Sequence, residues 1–177
     1  MLFSSVGFFI CLMKHIQLTN GGVALVDDED FESLNIYRWR RVDKSDSALQ
    51  YAVRSEGVYK QGTFRLISMH RAVIDAQSGQ IVDHKNGDGL DNRRSNLRIC
   101  THAENMRNQK SQGVAGKSQY KGVQWDRRGK NWRARIYVNK QPINGGNHLT
   151  EADAAKAYDN LASQHFGEFA RLNFPTL

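Results

Sequence analysis

The segment between residues 81 and 100 constrains the fold more than any other part of the chain. Two short apolar stretches, 81–84 and 97–100, enclose a loop at 85–92 that is built from Asn, Asp and Gly. Apolar runs of this length bounded by turn-forming residues are typical of short strands. The pattern predicts two strands joined by a polar loop, with Asp83 and His84 at the end of the first strand.

A helix is predicted immediately after the second strand. Thr101 and Glu104 have the spacing of a capping box, in which the hydroxyl accepts from the Glu104 amide and the carboxylate reaches back. The helix is expected to begin at Thr101 and to run through Asn108. Residues 81–108 therefore read as strand, loop, strand and helix.

A second unit is predicted after a Gly/Ser/Lys linker at 110–118, where we place a domain boundary. Within residues 119–174, apolar side chains between 132 and 138 alternate with Arg133, Arg135 and Tyr137, as in a half-buried strand. Thr150 can cap a helix whose apolar residues have helical spacing and which Gly167 ends. The prediction is a small sheet packed on one helix, with the arginines on its open face.

The first 68 residues carry no chemistry of their own. Residues 1–13 are apolar and contain no Lys or Arg, so they lack the positive region of a signal peptide. We expect them to be unstructured or an over-extended start, with Met13 as an alternative first residue. Residues 14–68 predict short strands around one helical turn, and the whole chain reads as α+β.

Composition excludes several classes of protein. The net charge is +7, the mean hydropathy is −0.62, and no apolar run approaches the ~18 residues that a spanning helix needs. Two cysteines exclude a disulfide scaffold and a four-cysteine zinc site. The charge is concentrated at 107–141, where ten basic residues face one acidic residue. Aromatic residues interleave with these charges, which favours a nucleic-acid partner over a merely solvated face.

Asp83, His84 and Asn105 form the constellation that could carry chemistry. A helix folded back across the strand could bring the three side chains together. Carboxylate and amide oxygens suit Mg²⁺, and a histidine beside them can take a proton from water near neutral pH. These are the parts needed to hydrolyse a phosphodiester bond.

Residues 69–109 resemble the HNH nuclease motif of phage homing endonucleases. The resemblance is carried by Met-His-Arg at 69–71, Asp-His-Lys-Asn-Gly-Asp-Gly-Leu-Asp-Asn at 83–92, and Glu-Asn-Met-Arg-Asn at 104–108. It implies a ββα-metal fold and a set of site residues. These are His84 as general base, Asp83 and Asn105 as metal ligands, Asn96 as the brace of the loop, His70 near phosphate, and Asn108 in support.

Residues 119–174 resemble the ethylene-responsive-factor (Apetala-type) DNA-binding domain of plant transcription factors. The matching stretches are Tyr-Lys-Gly-Val at 120–123, Trp-Arg-Ala-Arg-Ile at 132–136, Ala-Ala-Lys-Ala-Tyr-Asp at 154–159 and Arg-Leu-Asn-Phe at 171–174. The resemblance implies a three-stranded antiparallel sheet in the major groove. Residues 143–148 lack the usual aromatic strand, so a weak third strand is expected. The predicted DNA-facing residues are Lys121, Trp125, Arg127, Arg128, Arg133, Arg135 and Tyr137.

Together these features predict a DNA endonuclease of homing type that acts on double-stranded DNA. One divalent metal, Mg²⁺ with Mn²⁺ as a substitute, is the expected cofactor, and a monomer with one site is expected to nick one strand. We expect no structural zinc, no membrane association and no secretion, and a location in the cytoplasm of a bacterial host. The alternatives are a non-cleaving DNA-binding regulator and, with less support, an RNA-binding protein.

Overall fold

The computed structural model describes residues 13–43, 49–58, 63–110 and 118–175. It divides the chain into two compact units, here called the first unit (Met1–Cys100) and the second unit (Thr101–Leu177). The sequence places the boundary later, at 110–118, and most of that segment lies outside the described residues. Residues 1–12 also lie outside them, whereas Met13 is the first residue of a strand.

The described residues of the first unit form three small antiparallel sheets and two short helices. A hairpin of β1 and β2 precedes α1, β3–β4–β5 form a three-stranded sheet that leads into α2, and β6 pairs with β7. A single turn of 3-10 helix, Arg94–Asn96, comes directly before β7. The bounds are β1 Met13–Gln17, β2 Val23–Asp27, α1 Asp28–Asn35, β3 Arg40–Asp43, β4 Gln50–Val58, β5 Thr63–Ser68, α2 Met69–Val73, β6 Ile81–His84 and β7 Leu97–Cys100.

One hydrophobic core runs through all of these sheets. Trp39, which is 1% exposed, lies in this core and donates its indole N–H to the carbonyl of Leu34 over 2.8 Å. Residues from β1, β2 and α1 pack in the same core as Leu97 of β7. The predicted strands at 14–68 are therefore part of the body that carries the β6–β7 hairpin.

The second unit begins with α3 (His102–Asn108) and continues with a three-stranded antiparallel sheet and a long helix. The capping box of Thr101 and Glu104 is present. The strands are β8 (Val123–Asp126), β9 (Asn131–Val138) and β10 (Gln141–His148), with β9 in the middle. The helix α4 (Glu151–Phe166) is capped by the Thr150 hydroxyl, ends at Gly167 and packs on the sheet.

The third strand forms over its full eight residues despite its polar sequence. Main-chain pairing with β9 supplies its hydrogen bonds, and a bulge lies between Asn144 and Asn147. Gly145 makes this pairing possible, because a Cβ there would lie 2.9 Å from Ala134 Cβ and 3.0 Å from Leu161 Cδ1. Close backbone approach thus replaces the aromatic packing that the sequence lacks.

Asn173 joins the segment just before β8 to α4. Its Oδ1 accepts the backbone N–H of Lys121 over 2.7 Å, and its Nδ2 donates to the Lys121 carbonyl over 3.1 Å. Its own N–H donates to the buried carboxylate of Asp159 on α4 over 2.8 Å.

Among the described residues, no helix is long and apolar enough to span a membrane.

Gly122→Ala is expected to destabilise the second unit. Gly122 has a φ of +71°, and an added Cβ would lie 1.9 Å from Tyr158 Cδ2 and 2.8 Å from the Arg135 carbonyl. Gly167→Ala is the matched control, because Gly167 also has a positive φ but no atom within 4 Å of the added Cβ. Chemical denaturation should show a loss for Gly122→Ala that exceeds the control by about 2 kcal/mol. Equal losses would show that the close contact with Tyr158 is unimportant.

Candidate active site and nucleic-acid interface

Asp83 and His84 are neighbours in the sequence at the end of β6. Their side chains therefore lie on opposite faces of the strand. Asp83 is paired with Arg98 across the hairpin, and His84 is paired with Leu97. Both residues are buried, with exposed fractions of 6% and 5%. An imidazole and a carboxylate are thus held at the end of one strand.

Asp83 forms a buried ion pair with Arg98. The guanidinium Nε and Nη2 donate to Asp83 Oδ2 over 3.0 and 2.8 Å, and the two side chains are 7% and 8% exposed. A carboxylate this deeply buried requires a compensating charge. Arg98 supplies that charge within the protein itself.

Asn96 fixes the loop that follows His84. Its Oδ1 accepts the backbone N–H of Asn86 over 3.0 Å, and its Nδ2 donates to the carbonyl of Asp91 over 2.7 Å. Its own carbonyl accepts the N–H of Lys85 over 2.8 Å. These contacts hold both ends of the loop to Asn96, and its role as the brace of a nuclease loop stays a prediction.

The loop is also closed by short-range side-chain bonds. Asn86 Oδ1 accepts the Asp88 N–H over 2.8 Å. Asp88 Oδ1 accepts the Leu90 N–H over 3.0 Å. Asp91, which is 1% exposed, receives two hydrogen bonds from the Arg93 guanidinium at 2.8 and 2.7 Å. The Arg93 contact lowers the pKa of Asp91 and keeps it charged. The Asn and Asp residues of this loop therefore shape its backbone.

Two aromatic rings lie against the candidate base, His84. The ring centroids of His70 and His84 are 5.0 Å apart, and Tyr51 lies 5.4 Å from His70 and 5.8 Å from His84. Gly89 brings the polar loop against Tyr51, since a Cβ there would lie 2.9 Å from the ring and 2.2 Å from the Gln50 carbonyl. The His84 ring is thus enclosed by side chains from β4 and α2.

Burial keeps both histidines neutral. It lowers the pKa of His84 below its usual value and outweighs the opposite effects of the Asn92 side chain and nearby carboxylates. Burial, together with the nearby His84 and the charge of Arg71, lowers the pKa of His70 to about 3. A neutral imidazole at the position of His84 can accept a proton. The pKa of Tyr51 is raised by burial and by the Asp83 charge, so its phenol stays protonated.

The candidate metal ligands are one carboxylate and one amide. Asp83 lies in the first unit, and Asn105 lies on α3 in the second unit, as does the buried Asn108. Within the described part of the chain, no three His, Cys, Asp or Glu side chains form a group that could hold a metal ion. The oxygen donors of Asp83 and Asn105 fit a hard divalent cation chemically, with water and phosphate oxygens as the remaining ligands. Their convergence remains a prediction.

The second unit carries a polar and basic sheet face. Arg133 and Arg135 alternate with the buried Ala134 and Ile136, so they point away from α4 together with the exposed Tyr137. Arg133 is held by Asp126 and by Asn147 Oδ1 at 3.3 Å. Arg135 makes longer contacts, 3.4 Å each, to Asn144 Oδ1 and the Tyr137 hydroxyl.

The other predicted DNA-facing residues lie in different surroundings. Arg127 and Arg128 are exposed in the turn between β8 and β9. Trp125 is paired with Trp132, with ring centroids 5.1 Å apart, which puts it on the same side of the sheet as the buried Val123 rather than with the arginines. It remains 42% exposed.

Lys121 has a contact that the sequence did not predict. Its ammonium group donates to the carbonyls of Arg107 and Gln109 at the end of α3. Burial and the nearby Arg171 lower its pKa to about 8. The side chain therefore stabilises the C-terminus of α3, and its role in DNA binding stays a prediction.

Residues 74–107 match the HNH endonuclease family. The matched segment contains β6, the polar loop, β7 and most of α3, and with them Asp83, His84, Asn96 and Asn105. No curated protein matches the chain. The family match supports a nuclease that cleaves DNA with a divalent metal.

Sequence reasoning missed two residues of this site. Arg98 pairs with Asp83 through the strand register, which requires the hairpin alignment to be known. Tyr51 reaches His84 from a strand more than thirty positions away, in a segment that carries no motif. Only its alternation pattern, which puts Tyr51 on one face of a strand, could have marked it.

Arg98→Met is expected to destabilise the first unit by about 3 kcal/mol, because it leaves the Asp83 carboxylate buried without its partner. Arg65→Met is the control: Arg65 also pairs with a carboxylate, that of Glu56, but its side chain is 76% exposed. Urea denaturation should show a large decrease in the free energy of unfolding for Arg98→Met and no measurable decrease for Arg65→Met. Similar losses in both variants would contradict a special role for burial at Asp83.

Proposed function

We propose that the protein is a metal-dependent DNA endonuclease of the homing type, with His84 as general base. The observation that carries the proposal is a buried, neutral His84 at the end of β6, on a hairpin whose loop Asn96 holds. A scaffold that only binds DNA has no need of a buried proton acceptor at this position. The family match of the same segment supports this interpretation.

In the proposed reaction His84 accepts a proton from water, and the water oxygen forms a bond to the scissile phosphorus. The bond from phosphorus to the leaving 3′ oxygen then breaks. Asp83 and Asn105 are the residues that would hold a divalent cation, which supplies positive charge for the phosphate oxygens and the leaving group. Tyr51 and His70 limit the rotation of the His84 ring. One such site per monomer would nick a single strand.

The second unit would supply target binding through its basic sheet face. Arg133 and Arg135 would contact guanine edges in a major groove, and Arg127 and Arg128 would contact phosphates from the adjacent turn. Asn144 and Asn147 lie beside the two arginines and add donors and acceptors to the same face. Double-stranded DNA is therefore the proposed substrate, with Mg²⁺ as the proposed ion and Mn²⁺ as a substitute.

A supercoiled-plasmid assay with Mg²⁺ or Mn²⁺ tests the catalytic proposal. Wild type is expected to produce relaxed circles, and His84→Ala is expected to be at least about 100-fold slower, because the general base is lost. His15→Ala is the control, since His15 is exposed on β1. A gel-shift measurement on the same proteins should show unchanged DNA affinity. If wild type bound DNA without cutting any target in either metal, the non-cleaving regulator would be the better description.

Arg135→Ala tests the binding surface. We expect the dissociation constant for duplex DNA to rise about tenfold and the salt dependence to fall by about one counterion. Lys156→Ala removes the same charge from an exposed position on α4, which packs on the other side of the sheet, and should bind as wild type does. Equal weakening by both variants would indicate a response to net charge alone. Tighter binding to RNA than to DNA would favour the RNA-binding alternative.

A further inference from the structure

Residues that precede the family match contact the 3-10 helix that follows the polar loop. Asp30 of α1 accepts the Arg94 guanidinium through both carboxylate oxygens, at 2.9 and 2.7 Å. Asp27 accepts the backbone N–H of Arg94 at 2.7 Å, and Glu29 adds an ion pair at 3.0 Å. We call Asp27, Asp30 and Arg94 the Arg94 clamp.

The carboxylates of the clamp are buried, whereas the Arg94 side chain is 48% exposed. Asp27 and Asp30 are 5% and 7% exposed, although they belong to a run of four acidic residues at 27–30. A buried carboxylate must be satisfied by donors, and Arg94 supplies three of them. This requirement ties the start of α1 to the first residue of the 3-10 helix at Arg94–Asn96.

A backbone bridge reinforces the clamp. The Leu25 N–H donates to the Leu90 carbonyl, and the Leu25 carbonyl accepts the Asn92 N–H, both at 2.8 Å. β2 therefore pairs with the end of the polar loop as an additional strand would. Asn92 has no exposed surface, and its side chain influences the pKa of His84.

Two short paths lead from these contacts to His84. Arg94 begins the 3-10 helix that ends at Asn96, and Asn96 holds the backbone of Lys85 and Asn86, the two residues after His84. Leu97, next in the chain, is the strand partner of His84. A displacement of Arg94 would therefore move Asn96 and, through it, the backbone next to the His84 imidazole.

We infer that the Arg94 clamp and the Leu25 bridge position His84 for proton transfer, so that Asp27 and Asp30 are positioning residues of the nuclease. The inference rests on the proposed function. It gives residues 13–43 a role in catalysis itself, beyond support of the core. The isolated segment 74–107 lacks these contacts.

Asp30→Asn tests the inference in the full chain, with Arg94→Lys as a second variant that keeps the charge but loses the two-pronged geometry. Glu56→Gln is the matched control, because Glu56 also accepts Nε and Nη2 of one arginine, Arg65, at 2.9 and 2.6 Å. Three quantities are measured: the single-turnover nicking rate, the DNA dissociation constant, and the ¹⁵N resonances of the His84 imidazole, assigned by their loss in His84→Ala.

Both clamp variants are expected to nick about tenfold more slowly with unchanged DNA affinity, and to shift the His84 resonances. Glu56→Gln should match wild type in all three. Unshifted His84 resonances in the clamp variants, or an equal rate loss in Glu56→Gln, would overturn the inference and leave the clamp as a purely stabilising contact. If wild type itself does not nick, the proposed function fails, and the resonances alone still decide whether the clamp positions His84.

Discussion

The side-chain amide of Asn96 is the constraint on which the first unit's site depends. One buried amide donates to the Asp91 carbonyl and accepts the Asn86 N–H, and so closes the polar loop at 85–92 that follows the first of two short strands. Without it, a loop rich in Asn, Asp and Gly would have many backbone conformations of similar energy. The hairpin could still pair, but His84 would stand at its open end with no fixed surroundings. The buried Asp83–Arg98 pair and the Tyr51 contact act on a framework that this amide has already closed.

The second unit is held by the same kind of bond. Asn173 joins the start of β8 to Asp159 of α4 with its amide and its backbone N–H, and the carboxylate of Asp159 also accepts the N–H of Phe174 at 2.8 Å. A sheet of three strands buries little apolar surface on one helix, and small alanine side chains make up much of that core. Polar side chains that join distant backbone segments compensate for this small core. These bonds lie away from the arginine-bearing face, where Arg133 pairs with Asp126 and Arg135 makes longer contacts to Asn144 and Tyr137.

Local sequence signals predicted much of this architecture. The capping box at Thr101, the alternation along β9 and the cap at Thr150 depend on neighbouring residues, and all three are present in the structure. Such local signals do not predict contacts between residues that are far apart in the sequence. Asp30 and Arg94 are sixty-four positions apart, and an acidic helix start is satisfied equally well by water. Lys121 was assigned to the DNA-facing set from its motif position, whereas its ammonium is directed to the end of α3 by packing that no local pattern encodes. The convergence of Asp83 with Asn105 stays a prediction for the same reason.

The contact between Lys121 and the end of α3 changes how the glycine- and serine-rich segment at 110–118 is interpreted, because both of its neighbours in the structure belong to the second unit. Because α3 belongs to the second unit, the segment at 110–118 joins two parts of one unit, and the boundary between the units falls at Cys100–Thr101 instead. Its length therefore sets the entropy of closing an internal loop. That entropy changes slowly, since doubling a flexible loop costs only about 0.6 kcal/mol. Natural insertions at 110–118 would be tolerated without lengthening the connection between the two units, whereas a single residue added at 100–101 would alter it directly.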